Sequence, residues 1–360
     1  MPAGDAPTDD EEPLAVWTPT DDDYADLASH TDVRAAAEDD APVELITDEQ
    51  AEERATQGSG APTVRSRKMR VRLGLPAEFF VPERDADFAR WDALYPPVDR
   101  VDVDGRVDAQ LDDPALREAL LDELMSGASA LRHYPSGIPP PAAVRPIRPP
   151  MREGAQLLFT HQHPQGAAAD AARMAFADAR MAYGVDEPTL ARSQMPVFTI
   201  PKPGTTERRV LFDASGMNSL NLLPVGVQLA APQERTKFLR DARIVSSLDL
   251  ASFFTTIRLH EDVRDYWAYQ RDPHNRVRTA RLVQGAASSP AIAQALVEQV
   301  VGEVPELNGN TLIYIDNIVV KSTDGNMDAH IRLLGRLTRA LAEYNLLLNL
   351  KKSIFCGVRD

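Results

Sequence analysis

Cysteine is almost absent. A single one, Cys356, occurs in 360 residues. That excludes a disulfide framework and any multi-cysteine zinc site. Long apolar runs are missing too, since none approaches the ~18 residues of a membrane span. The N-terminus lacks the basic-then-apolar order of a secretory signal. No internal repeat and no upstream Asp-Thr/Ser-Gly signature is found. These absences lead to the expectation of an intracellular, cytoplasmic chain that is not secreted and has no membrane partner.

Basic residues are nearly missing from the first sixty positions, which hold 18 acids against Arg34 and Arg54. The net charge of −15 therefore belongs to this segment, and residues 61–360 are close to neutral, with 36 acids and 37 bases. Overall acidity does not argue against a nucleic-acid partner for the remainder. Rich in Asp, Glu, Ala, Pro and Thr, residues 1–60 cannot bury enough apolar surface to offset their ordering entropy. They read as a disordered acidic leader, either a solvated tail or an interaction segment.

Residues 61–193 read as an upstream linker and helical region. It opens with a basic cluster, Arg65, Arg67, Lys68, Arg70 and Arg72, alternating with Val and Leu. Asp113–Gly127 carries an Asp cap, a proline at the first helical position, apolar spacing of three and four, and a closing glycine, so it predicts a helix. The proline-rich stretch Pro135–Pro150 reads as a linker. A second helix is expected over Ala167–Tyr183.

From Gln194 the texture changes. Val197–Ile200 and Arg208–Phe212 read as strands of a hairpin with Lys202 near its tip. Ser246–Leu259 begins as a strand carrying Asp249. Tyr266–Gln270 and Arg276–Val283 read as strands, Gln284–Ser289 as a small-residue loop, and Ala291–Val301 as a helix begun by Pro290. Asp328–Asn345 is amphipathic, and Leu346–Phe355 reads as a last strand bearing Lys351 and Lys352. Strand, hairpin, helix, hairpin, helix, strand predicts an α+β layer, an antiparallel sheet with helices on one face.

Within that layer lies T-L-I-Y-I-D-N-I-V-V-K-S at 311–322. Two β-branched runs flank Asp316-Asn317, a pair that tolerates the positive φ of a tight turn. The turn would hold the Asp316 carboxylate at the tip of two buried strands. Asp249, on a neighbouring strand, could meet it at one sheet edge. Two carboxylates so placed suit Mg²⁺, which takes hard oxygen ligands and few protein carboxylates. Such a pair supports two-metal phosphoryl transfer. Lys202 and Arg209 on a mobile hairpin could meet the charge of a triphosphate. Each residue alone has an ordinary structural reading, and the inference rests on the set.

Five motifs in order now carry a resemblance. They are P-V-F-T-I-P-K-P-G-T-T-E-R-R-V-L-F-D-A-S-G-M-N at 196–218, S-L-D-L-A-S-F-F-T-T-I-R-L at 247–259, Q-G-A-A-S-S-P-A at 284–291, Y-I-D-N at 314–317, and H-I-R-L-L at 330–334 followed by L-N-L-K-K-S-I-F at 348–355. Residues 195–357 resemble the fingers and palm of a reverse transcriptase, closest in texture to gypsy-type LTR retrotransposons and their retroviral relatives. The resemblance implies a right-hand polymerase fold, with fingers over 194–245 and a palm over 246–360. It implies RNA-directed DNA polymerisation from dNTPs on a primed RNA or DNA template, with two Mg²⁺ ions or Mn²⁺ in their place.

Residue by residue, the resemblance makes Asp249 and Asp316 the principal metal ligands, with the backbone carbonyl of Leu250 as a further one. Asn317 shares the catalytic turn. Lys202 and Arg209 would bind the triphosphate, aided by backbone N–H groups near Ala251 and Ser252. Phe254 would lie against the sugar and exclude a ribose 2′-hydroxyl, with Phe253 competing for that position. Gln284 and Gly285 would shape the nucleotide pocket, and Tyr314 would lie against the primer end. Lys351 or Lys352 would touch phosphate or protonate the departing pyrophosphate.

Two departures stand out. Asn317 occupies the position where the family has a second acid, which removes one negative charge from the metal site. The chain also ends soon after the last palm motif, before the thumb and RNase H domain the family carries. A catalytically decayed, nucleic-acid-binding or structural remnant is the alternative. An RNA-dependent RNA polymerase shares the metal logic, but Phe254 argues against it.

Overall fold

Strand alternation decides which side chains of this chain meet the core and which meet the site. The structure, a computed structural model, describes residues 75–358 except 76, 86, 87, 97, 135–137, 203, 205–207, 224 and 228. The acidic leader and the Arg65–Arg72 cluster lie outside the described residues. Ten strands are present among those described: β1 (Asp108–Ala109), β2 (Asp186–Thr189), β3 (Val197–Pro201), β4 (Arg208–Phe212), β5 (Ile244–Asp249), β6 (Ala268–Gln270), β7 (Arg276–Thr279), β8 (Thr311–Tyr314), β9 (Asn317–Ser322) and β10 (Ile354–Val358). The five longest helices among those described are α1 (Pro114–Met125), α2 (Ala167–Ala182), α3 (Pro232–Leu239), α4 (Ser289–Gly302) and α5 (Met327–Glu343).

The main sheet has five strands in the order β1-β10-β5-β9-β8. Its pairs are antiparallel except β1 with β10, which run parallel. Two smaller sheets, β2-β7-β6 and β3-β4, lie apart from it in hydrogen bonding. In β5, Ile244, Ser246 and Leu248 are buried, while Val245, Ser247 and Asp249 are half-exposed. A period of two thus drives the apolar set into the core and presents Asp249 on the opposite face. Opposite it in β9, Ile318 and Val320 are buried and pair with Leu248 and Ser246.

Helices cover the core face. The side of α5 bearing Ile331, Leu334, Leu337 and Leu341 is buried, as its apolar spacing predicts. His330, fully buried on the same helix, bridges Ser246 Oγ of β5 and Ser322 Oγ of β9 at 2.8 Å each. Burial pushes this imidazole down to about 4, so it is neutral and serves as a staple. Almost every residue of α4 is buried, which suits a helix that is apolar on all sides.

The helix predicted around Asp113–Gly127 forms with Asp113 as its cap, the carboxylate accepting from Ala115 N–H at 2.8 Å. It packs on α5 at close range. A Cβ on Gly127 would meet the Thr338 carbonyl at 2.7 Å. Backbone cannot yield as a side chain does, so Gly127→Ala is expected to lower stability by about 1–3 kcal/mol through overpacking. Thermal unfolding checks this, with Gly105→Ala as the control, since a Cβ there finds its nearest atom at 3.5 Å.

Four sequence expectations are corrected. The proline-rich stretch is not an exposed linker, for Ile138–Val144 is buried throughout. Several of its polar groups are paired: Ala142 N–H donates to Thr256 O, Ala143 N–H to Tyr344 O, and Asn345 Nδ2 to Pro141 O. Proline brings no N–H to satisfy, which lowers the cost of burying such a strap. Leu346–Phe355 is not one strand either. Leu346, Leu347, Leu348 and Leu350 enter the core, a turn follows, and the strand begins only at Ile354. Lys351 and Lys352 therefore sit on that turn. Finally, the central hairpin turns at Ile315-Asp316, not at Asp316-Asn317, because Asn317 pairs with Tyr314. The strands read over 266–270 and 276–283 are shorter, at Ala268–Gln270 and Arg276–Thr279.

No helix among the described residues is long and apolar enough to cross a membrane.

Candidate active site

Register brings the two acids together. Asp249, last residue of β5, pairs with Asn317, first residue of β9, which in turn pairs with Tyr314 across the hairpin. Leu250 N–H donates to Asp316 O at 2.8 Å, tying the end of β5 to the turn. A two-residue hairpin turn requires a positive φ, and here Ile315 adopts it, at +56°. Asp316 thus stands at the tip beside the end of β5.

Both carboxylates are half-buried, and both are held above the usual carboxylate range. For Asp249 burial is the main cause, opposed by the charge of Lys352 and by the Asn349 side chain. For Asp316 burial again leads, and the neighbouring charge of Asp249 adds to it. Lys352 Nζ lies 3.9 Å from Asp249 Oδ2, on a side chain that is 70% exposed. An exposed pair at that separation adds little stability. The loop behind is firmer: Asp249 N–H donates to Ser353 Oγ at 3.1 Å, and Asn349 N–H to Asp249 O at 2.8 Å.

Two acids whose charged forms are each disfavoured match a divalent cation, which would reverse that penalty. Among the described residues no group of three or more His, Cys, Asp or Glu side chains forms a fuller metal cluster. Two carboxylates, with backbone oxygen and water free to complete a shell, would be a donor set of the kind Mg²⁺ prefers. Asn317 is exposed, and its Nδ2 lies 3.4 Å from Asp316 Oδ1. Where a third carboxylate would add charge, this side chain offers an amide.

The remaining sequence-predicted residues divide into two groups. Near the acids, Ser252 takes φ +45° and opens a short helix, Phe253–Thr256. Phe253 is buried at 2% exposure, whereas Phe254 is half-exposed. Phe253 is thus the core phenylalanine and Phe254 the one with a free edge. Tyr314 is half-buried, with the Arg235 guanidinium of α3 5.6 Å from its ring centre. Lys351 is exposed on the turn beside Lys352. One expectation is corrected: Ala251 N–H donates to Leu347 O at 2.8 Å and its side chain is buried. That N–H is committed to the fold and is not available to a phosphate.

Arg209 lies on β4 and Lys202 just past the end of β3, on a hairpin whose sheet is separate from the one that bears Asp249. Arg209 is exposed, opposite Ile200. Arg208 instead donates from Nε to Thr199 Oγ1 at 2.7 Å, so alternation selects Arg209 as the outward-facing arginine. Gln284 and Gly285 are exposed on their loop, where Gly285 takes φ +97°, a conformation that favours glycine.

Two residues shape this region through contacts that sequence reasoning did not assign. Asn218 clamps the loop after Gly285, donating from Nδ2 to Gly285 O at 2.9 Å and accepting from Ala287 N–H at 2.8 Å. It lies 67 residues from Gly285, so no local pattern announced the contact. Gln294 of α4 meets the hairpin turn from beneath. Its sequence neighbours suggest only a buried helix.

The chain is similar to known proteins over this region. Residues 191–359 match the family described as reverse transcriptase (RNA-dependent DNA polymerase). The Gag-Pol polyprotein of bovine immunodeficiency virus (strain R29) is 26% identical over 157 residues, covering 41% of this chain and 10% of that polyprotein. A foamy viral protease-reverse transcriptase bound to double-stranded DNA superposes with a TM-score of 0.62 at 18% identity, covering 73% of this chain and 44% of that one. The same kind of protein bound to an RNA/DNA hybrid gives a TM-score of 0.60 at 19% identity, over 73% and 34%. The chain thus spans a small part of the polyprotein and less than half of either foamy viral chain.

Proposed function

We propose that the chain, whose residues 191–359 match the reverse transcriptase family, is the polymerase domain of a retroviral-like Pol polyprotein and carries its nucleotidyl-transfer centre at the Ile315-Asp316 turn. The reaction is transfer of a nucleotide from a dNTP to a primer 3′-OH on an RNA or DNA template. The observation that carries this reading is the register of Asp249 against Asn317, with Leu250 N–H bonded to Asp316 O, which brings two half-buried acids to one sheet edge.

Asp249 and Asp316 would hold the ions, Mg²⁺ or Mn²⁺, with Leu250 O as a further ligand. When bound, such a pair lowers the pKa of the attacking hydroxyl and offsets charge on the leaving pyrophosphate. The residues of the chain do the remainder. Lys202 and Arg209 would meet the triphosphate, and Gln284 and Gly285, held by Asn218, would line the pocket for the nucleotide and its template base. Tyr314, backed by Arg235, would support the primer end. Lys352, on a flexible stem beside Asp249, could give a proton to the pyrophosphate, or with Lys351 could hold a phosphate. In this reading 194–245 serves as fingers and 246–360 as palm.

Primer extension on an RNA template with Mg²⁺ or Mn²⁺ tests the proposal. No extension under either ion, alone or with Asn317→Asp, would sink it. Phe254 makes a sharper prediction. Its free edge is suited to excluding a 2′-hydroxyl, so Phe254→Val is expected to raise rNTP use relative to dNTP about 10- to 100-fold, the scale on which a pocket rejects an added hydroxyl. Competition between dGTP and GTP reads this. An unchanged ratio would assign Phe254 to packing.

A second reading is favoured by one observation, the exposed amide of Asn317 at the turn. In it the chain is a decayed enzyme that retains nucleic-acid binding or only a scaffold role. Extension by the unaltered chain would exclude it.

A further inference from the structure

The central turn is built against local preference. Ile315 holds φ +56°, and β-branched residues resist the left-handed region. Its conformation sets the direction of the next residue, Asp316. Two hydrogen bonds hold this dipeptide from opposite sides. On one side Asp316 O accepts from Leu250 N–H at 2.8 Å. On the other, Ile315 N–H donates to Gln294 Oε1 at 2.8 Å. Only the second is made by a side chain.

Gln294 is fitted to this task. It is 1% exposed on α4. Its Nε2 donates to Glu298 Oε1 at 2.9 Å and toward Ile313 O at 3.4 Å. A backbone N–H only donates and a carbonyl only accepts, so Oε1 must face Ile315 N–H and the NH₂ must face Ile313 O, with Glu298 Oε1 beside it. One amide therefore grips the hairpin before the turn and at it. An apolar side chain could fill the same space but could offer the Ile315 N–H nothing.

We propose that Gln294 is a positioning residue for the metal site, holding the unfavourable Ile315 backbone in place and so setting where the Asp316 carboxylate projects. The inference rests on the reading of Asp316 as a metal ligand. It separates Gln294 from an ordinary satisfied core amide in a testable way. If the role is to hold an unfavourable φ, a residue that adopts that φ freely should make Gln294 dispensable. Glycine is that residue.

The test uses the full chain with Gln294→Met, Ile315→Gly and the double variant. Two quantities are read: hydrogen exchange of the residue-315 amide by NMR, and Mn²⁺ affinity by EPR titration. Gln294→Met is expected to speed exchange at Ile315 by roughly tenfold or more while amides of β5 stay protected. Its Mn²⁺ affinity should fall about tenfold, the lower end of what losing an outer partner of a ligand costs. In the double variant, Mn²⁺ affinity should return to that of Ile315→Gly alone. Unchanged exchange and affinity in Gln294→Met would overturn the proposal, as would a double variant that stays weak. If the unaltered chain binds no Mn²⁺, the metal reading fails by itself. Exchange then decides the clamp: lost protection at Ile315 supports it, and retained protection overturns it. Should Gln294→Met unfold, Gln294→Asn, one carbon too short to span both contacts, is read by the same two measurements.

Discussion

Asp249→Asn and Asp316→Asn are each expected to abolish primer extension, by about a thousandfold or more, since several kcal/mol of transition-state charge stabilisation would go with a metal ligand. The same substitutions are expected to raise the thermal stability of the metal-free chain. The reason lies in the burial that both carboxylates share. A carboxyl held above its ordinary range prefers to be neutral in the folded state, so its ionisation opposes folding. The sign follows from linkage: the folded chain keeps these protons to higher pH than the unfolded chain, so their contribution to stability falls as pH rises through and above the carboxylate range. Asparagine has no charge to desolvate. Its stabilising effect is therefore present at pH 7 and vanishes in acid, where the aspartates are already neutral. Divalent cation reverses the order, stabilising the unaltered chain over both variants. Unfolding scans in EDTA and in Mn²⁺, alongside extension assays, check all of this. A variant that loses activity and also loses stability in EDTA would identify the acid as structural.

Asn317→Asp carries the second large effect. It restores a third acid across from Asp249 and next to Asp316. Affinity for hard cations rises with the charge of the ligand set, so Mn²⁺ binding should tighten about tenfold or more, and extension should increase at limiting metal. The change has a cost in the metal-free chain, because like charges directly opposite on paired strands destabilise them. Asn317→Asp should thus unfold at lower temperature in EDTA and at higher temperature in Mn²⁺ than the unaltered chain. Metal affinity that does not move would mean that position 317 points away from the ion. Extension that appears only with Asn317→Asp would mark the present chain as decayed at this one residue.

What could be read without the structure was the set of elements and the identity of the reacting groups. Periodicity and caps located α1, α2, α4 and α5, because each has an apolar stripe and most have a recognisable start. The strand that ends at Asp249 and the hairpin whose turn carries Asp316 were both evident, the hairpin from its β-branched runs. The acids themselves stood out because a carboxylate among buried apolar strands needs a reason to be there. Boundaries failed where two local rules competed. Asp-Asn is a good turn pair, yet the hairpin turns one residue earlier, on an isoleucine that no propensity would choose. The leucines after Asn345 look like a strand, but burial from several sides takes them into the core as irregular chain. Prolines suggested a tether and form a buried strap.

The sequence by itself determined which residues have the chemistry for the site: an acid on a strand and another at a hairpin turn, an amide in place of a third, an arginine and a lysine on a hairpin, and a pair of phenylalanines. Tertiary structure decided which of them can act. It committed the Ala251 N–H to Leu347, buried Phe253 and left Phe254 an edge, and turned Arg208 inward and Arg209 outward. It also supplied Gln294 and Asn218 from helices distant in sequence. The physical reason is that side-chain type is local, whereas burial, register and hydrogen-bond partnership depend on which distant segments pack together.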